Sequence, residues 1–176
     1  MEEGYLIEEG TTEIREFPGY WVNRSGEIYS ERRDLYLTPS RNNDGGLKVT
    51  LMKNGAPHTR ILKNIVAKEF VRKPQWSGLY NYVIQKDGDI LNVHASNLAW
   101  RPRWYGIKYQ QQFGDGLLTL AHGPEVYEHR TGVVYPNAVE AAIGTGMMYL
   151  DVLDSIETGK GCRFVGYRFS EFGMKE

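Results

Sequence analysis

The stretch VIQKDGDILNVHASNLAW, residues 83–100, gathers side chains that could do hydrolytic chemistry. Asp87, Asn92 and Asn97 offer hard oxygen atoms of the kind that hold magnesium-like ions. His94 adds an imidazole that could ligate a metal or take a proton near neutral pH. Each residue also has a structural reading, and for His94 that reading is favoured: a loop imidazole bonded to backbone, because a lone His lacks the partners of a metal site. Asp87 before Gly88 is a turn former, and Asn97 caps a short helix whose Leu98 and Trp100 anchor in the core.

Two further groups of side chains suggest nucleic-acid contact. Arg101, Arg103, Trp104 and Lys108 mix positive charge with an aromatic ring, as groove-tracking segments do. A solvated loop with Trp104 tucked against the core explains the same residues. Met147, Met148 and Tyr149 open a helix at the end where a recognition helix meets base edges, with Lys160, Arg163 and Arg168 placed to reach phosphates. Against this, the helix carries Asp151, Asp154 and Glu157 and no basic residue.

The elements that must position these residues are short. YWVNRSGEIYS reads as strand, turn at Gly26 and strand, and Asn54-Gly55 between alternating runs predicts a hairpin. Ile65, Val66, Glu69 and Phe70 fall at helical spacing over 63–71, ahead of Pro74. A strand, an Asp87-Gly88 turn, a short strand or loop and a brief helix from Ser96 follow. Residues 105–123, rich in Gly, Gln and aromatics, read as a linker with a helical turn near 105–112 and a hinge at Gly114-Asp115-Gly116. The tail reads as a hairpin closed at Thr131-Gly132, helices over 137–143 and 147–157 around a Gly-Thr-Gly turn, and a final strand FVGYRF. Two short helices joined by a Gly-containing turn suggest helix-turn-helix geometry.

Composition sets limits on these readings. The chain has 176 residues, 41% hydrophobic and 24% charged, as in an ordinary soluble globular protein. No apolar run reaches membrane-spanning length, and the acidic start MEEGYLIEEG lacks the basic and apolar regions of a secretory leader, so an intracellular location and no membrane partner are expected. The single Cys162 excludes an internal disulfide and a Cys-based zinc site; it is read as a small core filler. The formal net charge of −1 matters most, because a DNA-binding protein usually carries a basic surplus.

Taken together, the modules resemble those of the HNH homing endonucleases over nearly the whole chain. EIREFPGYWVNRSGEIYS resembles their N-terminal nuclease-associated module, KNIVAKEF with KDGDILNVHASNLAW their ββα-metal core, and the tail their C-terminal helix-turn-helix module. Asp87-Gly88, Asn92, Asn97-Leu98 and Trp100 fall at the family's spacing. The resemblance implies an α+β fold with modules at 1–62, 63–104, 105–123 (a linker) and 124–176, and an origin in a phage or mobile element acting in the cytoplasm of an infected bacterial host.

The departures from the family pattern fall on the chemistry. Gln85 stands where the family has its general-base His, and an amide has no usable basicity. Ile84 stands where an Asp or Asn ligates the metal, and Lys63 replaces the leading His of the helix. Asp87, Asn92 and Asn97 remain as framework. The resemblance therefore implies a degenerate nuclease without a metal site, in which Mg2+ or Mn2+ acts only if cleavage survives. Three functions stay open: binding duplex DNA without cutting it, a scaffold turned to a protein partner through an anchor such as Trp76, Tyr80, Tyr82, Trp104 or Tyr149, and residual nuclease activity.

Overall fold

The computed structural model describes residues 10–74, 78–162 and 166–173. It divides the chain into two units, Met1–Gln85 with Asp89–Pro102, and Lys86–Gly88 with Arg103–Glu176. Arg163, Trp76 and the first residues of the expected FVGYRF strand lie outside the described residues.

The first unit opens with four short antiparallel strands in sequence order, β1 (Thr12–Glu13), β2 (Tyr20–Val22), β3 (Ile28–Ser30) and β4 (Leu35–Leu37). The β2–β3 turn is built by Asn23, whose Oδ1 accepts from Ser25 N at 3.0 Å and Glu27 N at 2.9 Å. Gly26 is required there: its φ is +87°, and a Cβ would stand 2.7 Å from Val93 Cγ2. A second sheet joins β5 (Ser40–Arg41), β6 (Leu47–Lys53) and β7 (Ala56–Ile61). Asn54 and Gly55 close β6 on β7 with φ of +52° and +78°, the paired left-handed conformation that the dipeptide favours.

The helix α1 (Leu62–Phe70) follows β7 directly. Its Leu62, Ile65, Val66 and Ala67 pack with Phe17, Val22, Ile28, Leu51, Val83, Leu98 and Trp100 in one core. Next come β8 (Tyr82–Gln85) and β9 (Leu98–Arg101), an antiparallel pair in register Val83↔Trp100 and Gln85↔Leu98. The brief helix expected from Ser96 is only a 3-10 turn, Ala95–Asn97. Leu98 and Trp100 are buried two residues apart, which is the period of a strand face and not of a helix.

On β3, Tyr29 Oη donates to Asp34 Oδ1 at 2.5 Å, and this bond pushes the phenol up to about 12. The bond favours the neutral phenol, so its contribution is present below the ordinary value of 10.0 and is lost as pH rises through about 12. Ultraviolet titration should show one tyrosine ionising near the upper value, and Asp34→Asn should return it towards the ordinary one.

The second unit begins where a linker is expected. Residues Arg103–Gly114 form a full helix, α2, followed by a 3-10 turn at Leu117–Leu120. Tyr105 and Tyr109, four residues apart, are both buried and give the helix its inner face. Tyr105 Oη donates to Asp151 Oδ2 at 2.8 Å and accepts from Met148 N at 2.6 Å; Tyr109 Oη donates to Lys86 O at 2.5 Å. Gly88, with φ of +78°, leaves room for the Phe113 ring, 2.5 Å from where a Cβ would sit.

The expected tail hairpin is present as β10 (Val126–Glu128) and β11 (Val134–Tyr135), with Gly132 at φ +74° in its turn. Helix α3 (Ala138–Thr145) is capped by Asn137, whose Oδ1 accepts from Glu140 N at 3.0 Å. It continues through Gly144 and Thr145 and stops at Gly146, in the left-handed region at φ +67°. Helix α4 (Tyr149–Thr158) and strand β12 (Phe169–Glu171) complete a sheet in the order β11-β10-β12. The architecture is the α+β class expected. Among the described residues no helix is long and apolar enough to cross a membrane.

Candidate functional site

Packing of α1 on β8 brings together two of the three chemically altered positions. Lys63 Nζ donates to Gln85 Oε1 at 3.0 Å, and Gln85 Nε2 donates to Ile90 O at 2.6 Å. Gln85 is 1% exposed, so both ends of its amide are committed inside the protein. The Lys63 ammonium also lies 5.3 Å from the centroid of the Tyr82 ring. Burial alone holds its pKa below the ordinary lysine value. Ile84, fully buried, precedes Gln85 on the strand.

The oxygen-bearing residues after the turn are occupied with backbone. Asp89 Oδ1 accepts from Leu91 N at 2.9 Å, Asn92 Oδ1 from His94 N at 3.2 Å, and Asn97 Nδ2 donates to Asn92 O at 3.1 Å. His94 Nδ1 lies 2.7 Å from Ser96 Oγ and accepts from Ser96 N at 3.3 Å, capping the 3-10 turn. His94 is thus the backbone-bonded loop imidazole favoured from the sequence. Among the described residues no group of three His, Cys, Asp or Glu side chains is placed to hold a metal ion. A divalent ion does not fit the Lys63–Gln85 pair either, because a fixed ammonium already occupies the amide oxygen.

No protein-family model matches the chain. Two uncharacterized HNH endonucleases of Acanthamoeba polyphaga mimivirus are similar in sequence, one 31% identical over 88 residues, half of this chain, the other 28% identical over 81 residues, 46% of it. These matches span 22% and 24% of the relatives, so the chain corresponds to about a quarter of their length. A solved structure of the HNH homing endonuclease I-HmuI, described as showing DNA binding and cleavage by that enzyme, aligns with 94% of this chain and 99% of its own, at TM-score 0.52 and 23% identity. The chain has the fold of an HNH homing endonuclease. The resemblance drawn from its modules and from residues 63–100 is borne out by these relatives.

Within this HNH-like chain, several expected contact residues are not where the sequence suggested. Met147 is fully buried and precedes α4, with its sulfur 3.9 Å from Tyr105 Oη, so it is a core residue and not a reader of bases. Arg101 is 5% exposed and donates to Trp100 O at 2.9 Å, which removes it from the surface cluster. Arg103, Trp104 and Lys108 are exposed on α2, Trp104 by 50%. Tyr149 is half-buried with its backbone N bonded to Gln112 Oε1 at 3.0 Å, Lys160 is exposed, and Arg168 is half-buried. Tyr80 is buried. Cys162 is buried, and burial with the nearby Asp151 carboxylate pushes its thiol up to about 11, which fits the filler expected.

Sequence reading missed one polar surface, the outer face of β6 and β7. Val49 and Leu51 point to the core, which turns Lys48, Thr50 and Met52 outward. Thr50 sits opposite Thr59, their hydroxyls 3.1 Å apart, and Lys53 and Asn54 lie at the exposed tip. The alternation of LKVTL, residues 47–51, was the signal available.

Proposed function

We propose that this chain is a degenerate HNH homing-endonuclease-like protein that binds duplex DNA and does not cut it. The observation that carries the reading is the closed Lys63–Gln85–Ile90 arrangement. The position where the family has its base holds an amide bonded at both ends, and the ligand position holds a buried isoleucine. Without a base and a metal, water is neither deprotonated nor polarised.

Binding is supported by the exposed outer face and tip of the β6–β7 hairpin, which carry Lys48, Thr50 and Lys53. Beyond Lys48, where β5 stops pairing, the hairpin runs as two strands, and a two-stranded ribbon of this kind fits the major groove. Threonine hydroxyls and Lys48 on its outer face supply donors and acceptors for base edges and phosphates. Arg103 and Lys108 on α2 are candidates for further backbone contacts.

One surface favours a protein partner instead. On α4, Leu150 is 73% exposed and shares the outward side with Asp154 and Glu157, a combination that phosphates repel. The deciding measurement is retention of a mixed duplex pool at low and moderate salt, with Mg2+ or Mn2+ in a parallel reaction. Tight, salt-sensitive retention of intact DNA is expected. Cleaved product would overturn the reading, and no retention at low salt would turn the function towards a protein.

A further inference from the structure

Lys63 is a cation set partly inside the protein, and among the described residues no carboxylate stands opposite it. The single hydrogen bond of the ammonium goes to a neutral amide oxygen. The amide is itself fixed by Ile90 O, and the Tyr82 ring backs the ammonium from 5.3 Å. A half-buried charge lacking a counter-ion costs the fold desolvation energy that a neutral side chain would avoid. Burial holds its pKa below the ordinary lysine value. The cost is offset when an external anion arrives, and the remaining N–H bonds of the ammonium are available to donate to it.

We propose that Lys63 is a phosphate-binding residue: its ammonium, held by Gln85, takes one oxygen of a DNA backbone phosphate at the positions the fold's relatives devote to cleavage. The inference rests on the DNA-binding reading and deepens it. A tethered ammonium supplies one positive charge and hydrogen bonds to an oxyanion. It supplies no open coordination position, so it can hold the phosphodiester without activating a water to attack it. The same oxyanion chemistry is offered by free phosphate, and the experiment separates the two.

Wild type, Lys63→Met and Lys63→Gln are compared for binding to a short duplex over a chloride series, after thermal melts confirm that the variants fold. The side-chain NH3+ resonance of Lys63 is followed in parallel by nitrogen-15 NMR, assigned by its absence from both variants. Loss of one phosphate contact lowers the slope of log affinity against log salt by about 0.9, so raising salt from about 50 to about 200 mM weakens wild type about 3.5-fold more than the variants. That result, together with a shift of the Lys63 resonance on adding duplex, is expected. Equal slopes in all three proteins, with DNA bound, would overturn the inference and leave DNA binding standing. A resonance moved by inorganic phosphate at matched ionic strength but not by duplex would assign the site to a free anion and overturn the DNA contact. Failure of wild type to bind duplex at low salt would remove the DNA reading and this inference together.

Discussion

Returning the three family residues together, Lys63→His, Ile84→Asp and Gln85→His, should create metal-dependent stability and strand nicking, while Gln85→His alone should do neither. The single change supplies an imidazole but leaves Ile84 beside it, and an apolar side chain offers a magnesium-like ion no oxygen. It also leaves the Lys63 ammonium 3.0 Å from the restored position, where like charge repels an arriving cation. The triple change removes that cation and supplies both ligand and base. Without metal it should be less stable than wild type, because an aspartate then occupies the fully buried place of Ile84. Mn2+ at about a hundred times its dissociation constant should return about 2.7 kcal/mol. Thermal melts with and without Mn2+ measure this, and a supercoiled plasmid reports nicking. Restoring a base where the metal is held is worth about 10² to 10⁴ in rate. Nicking by wild type, or a melt of the triple variant that Mn2+ leaves unmoved, would show that the altered positions are not what separates this chain from cleavage.

The parts of this fold that were legible in the sequence are those whose signal is local. Asn54-Gly55 carries its own backbone requirement, and the run Ile65, Val66, Glu69 and Phe70 states a helix within two turns. What stayed hidden depends on partners far along the chain. Tyr105 and Tyr109 are four apart, yet the surrounding Gly and Gln disguise α2 as a linker until Asp151 and Lys86 take their hydroxyls. Leu98 and Trp100 already read as anchors, but β9 exists because β8 is there to pair with. Lys63 and Gln85 could be named as departures from a family pattern. That they bond to one another, across 22 positions, follows only from α1 lying on β8. Met147 shows the reverse error: a residue next to a helix start looks available to DNA, whereas packing beside Tyr105 takes it out of reach.

Glu128 is a buried acid that no sequence pattern marked, and replacing it should cost the second unit more than any other single polar change in the tail hairpin. It is fully buried on β10. Its Oε1 accepts from Arg130 N at 2.7 Å, and its Oε2 accepts from Thr131 N at 2.8 Å and Thr131 Oγ1 at 2.5 Å. Three donors thus converge on one carboxylate and fix the turn between β10 and β11. Glu128→Gln keeps the shape but turns an NH2 group towards N–H donors, and Glu128→Ala leaves all three unpaired beside a void. Hydrogen bonds to a charged group are worth about 1.5 to 3 kcal/mol each, so a loss of about 3 kcal/mol or more is expected for either variant. In a unit of this size that lowers the melting temperature by roughly 10 °C or more. Circular dichroism melts measure it, and a Glu128→Gln protein melting within a few degrees of wild type would contradict the account.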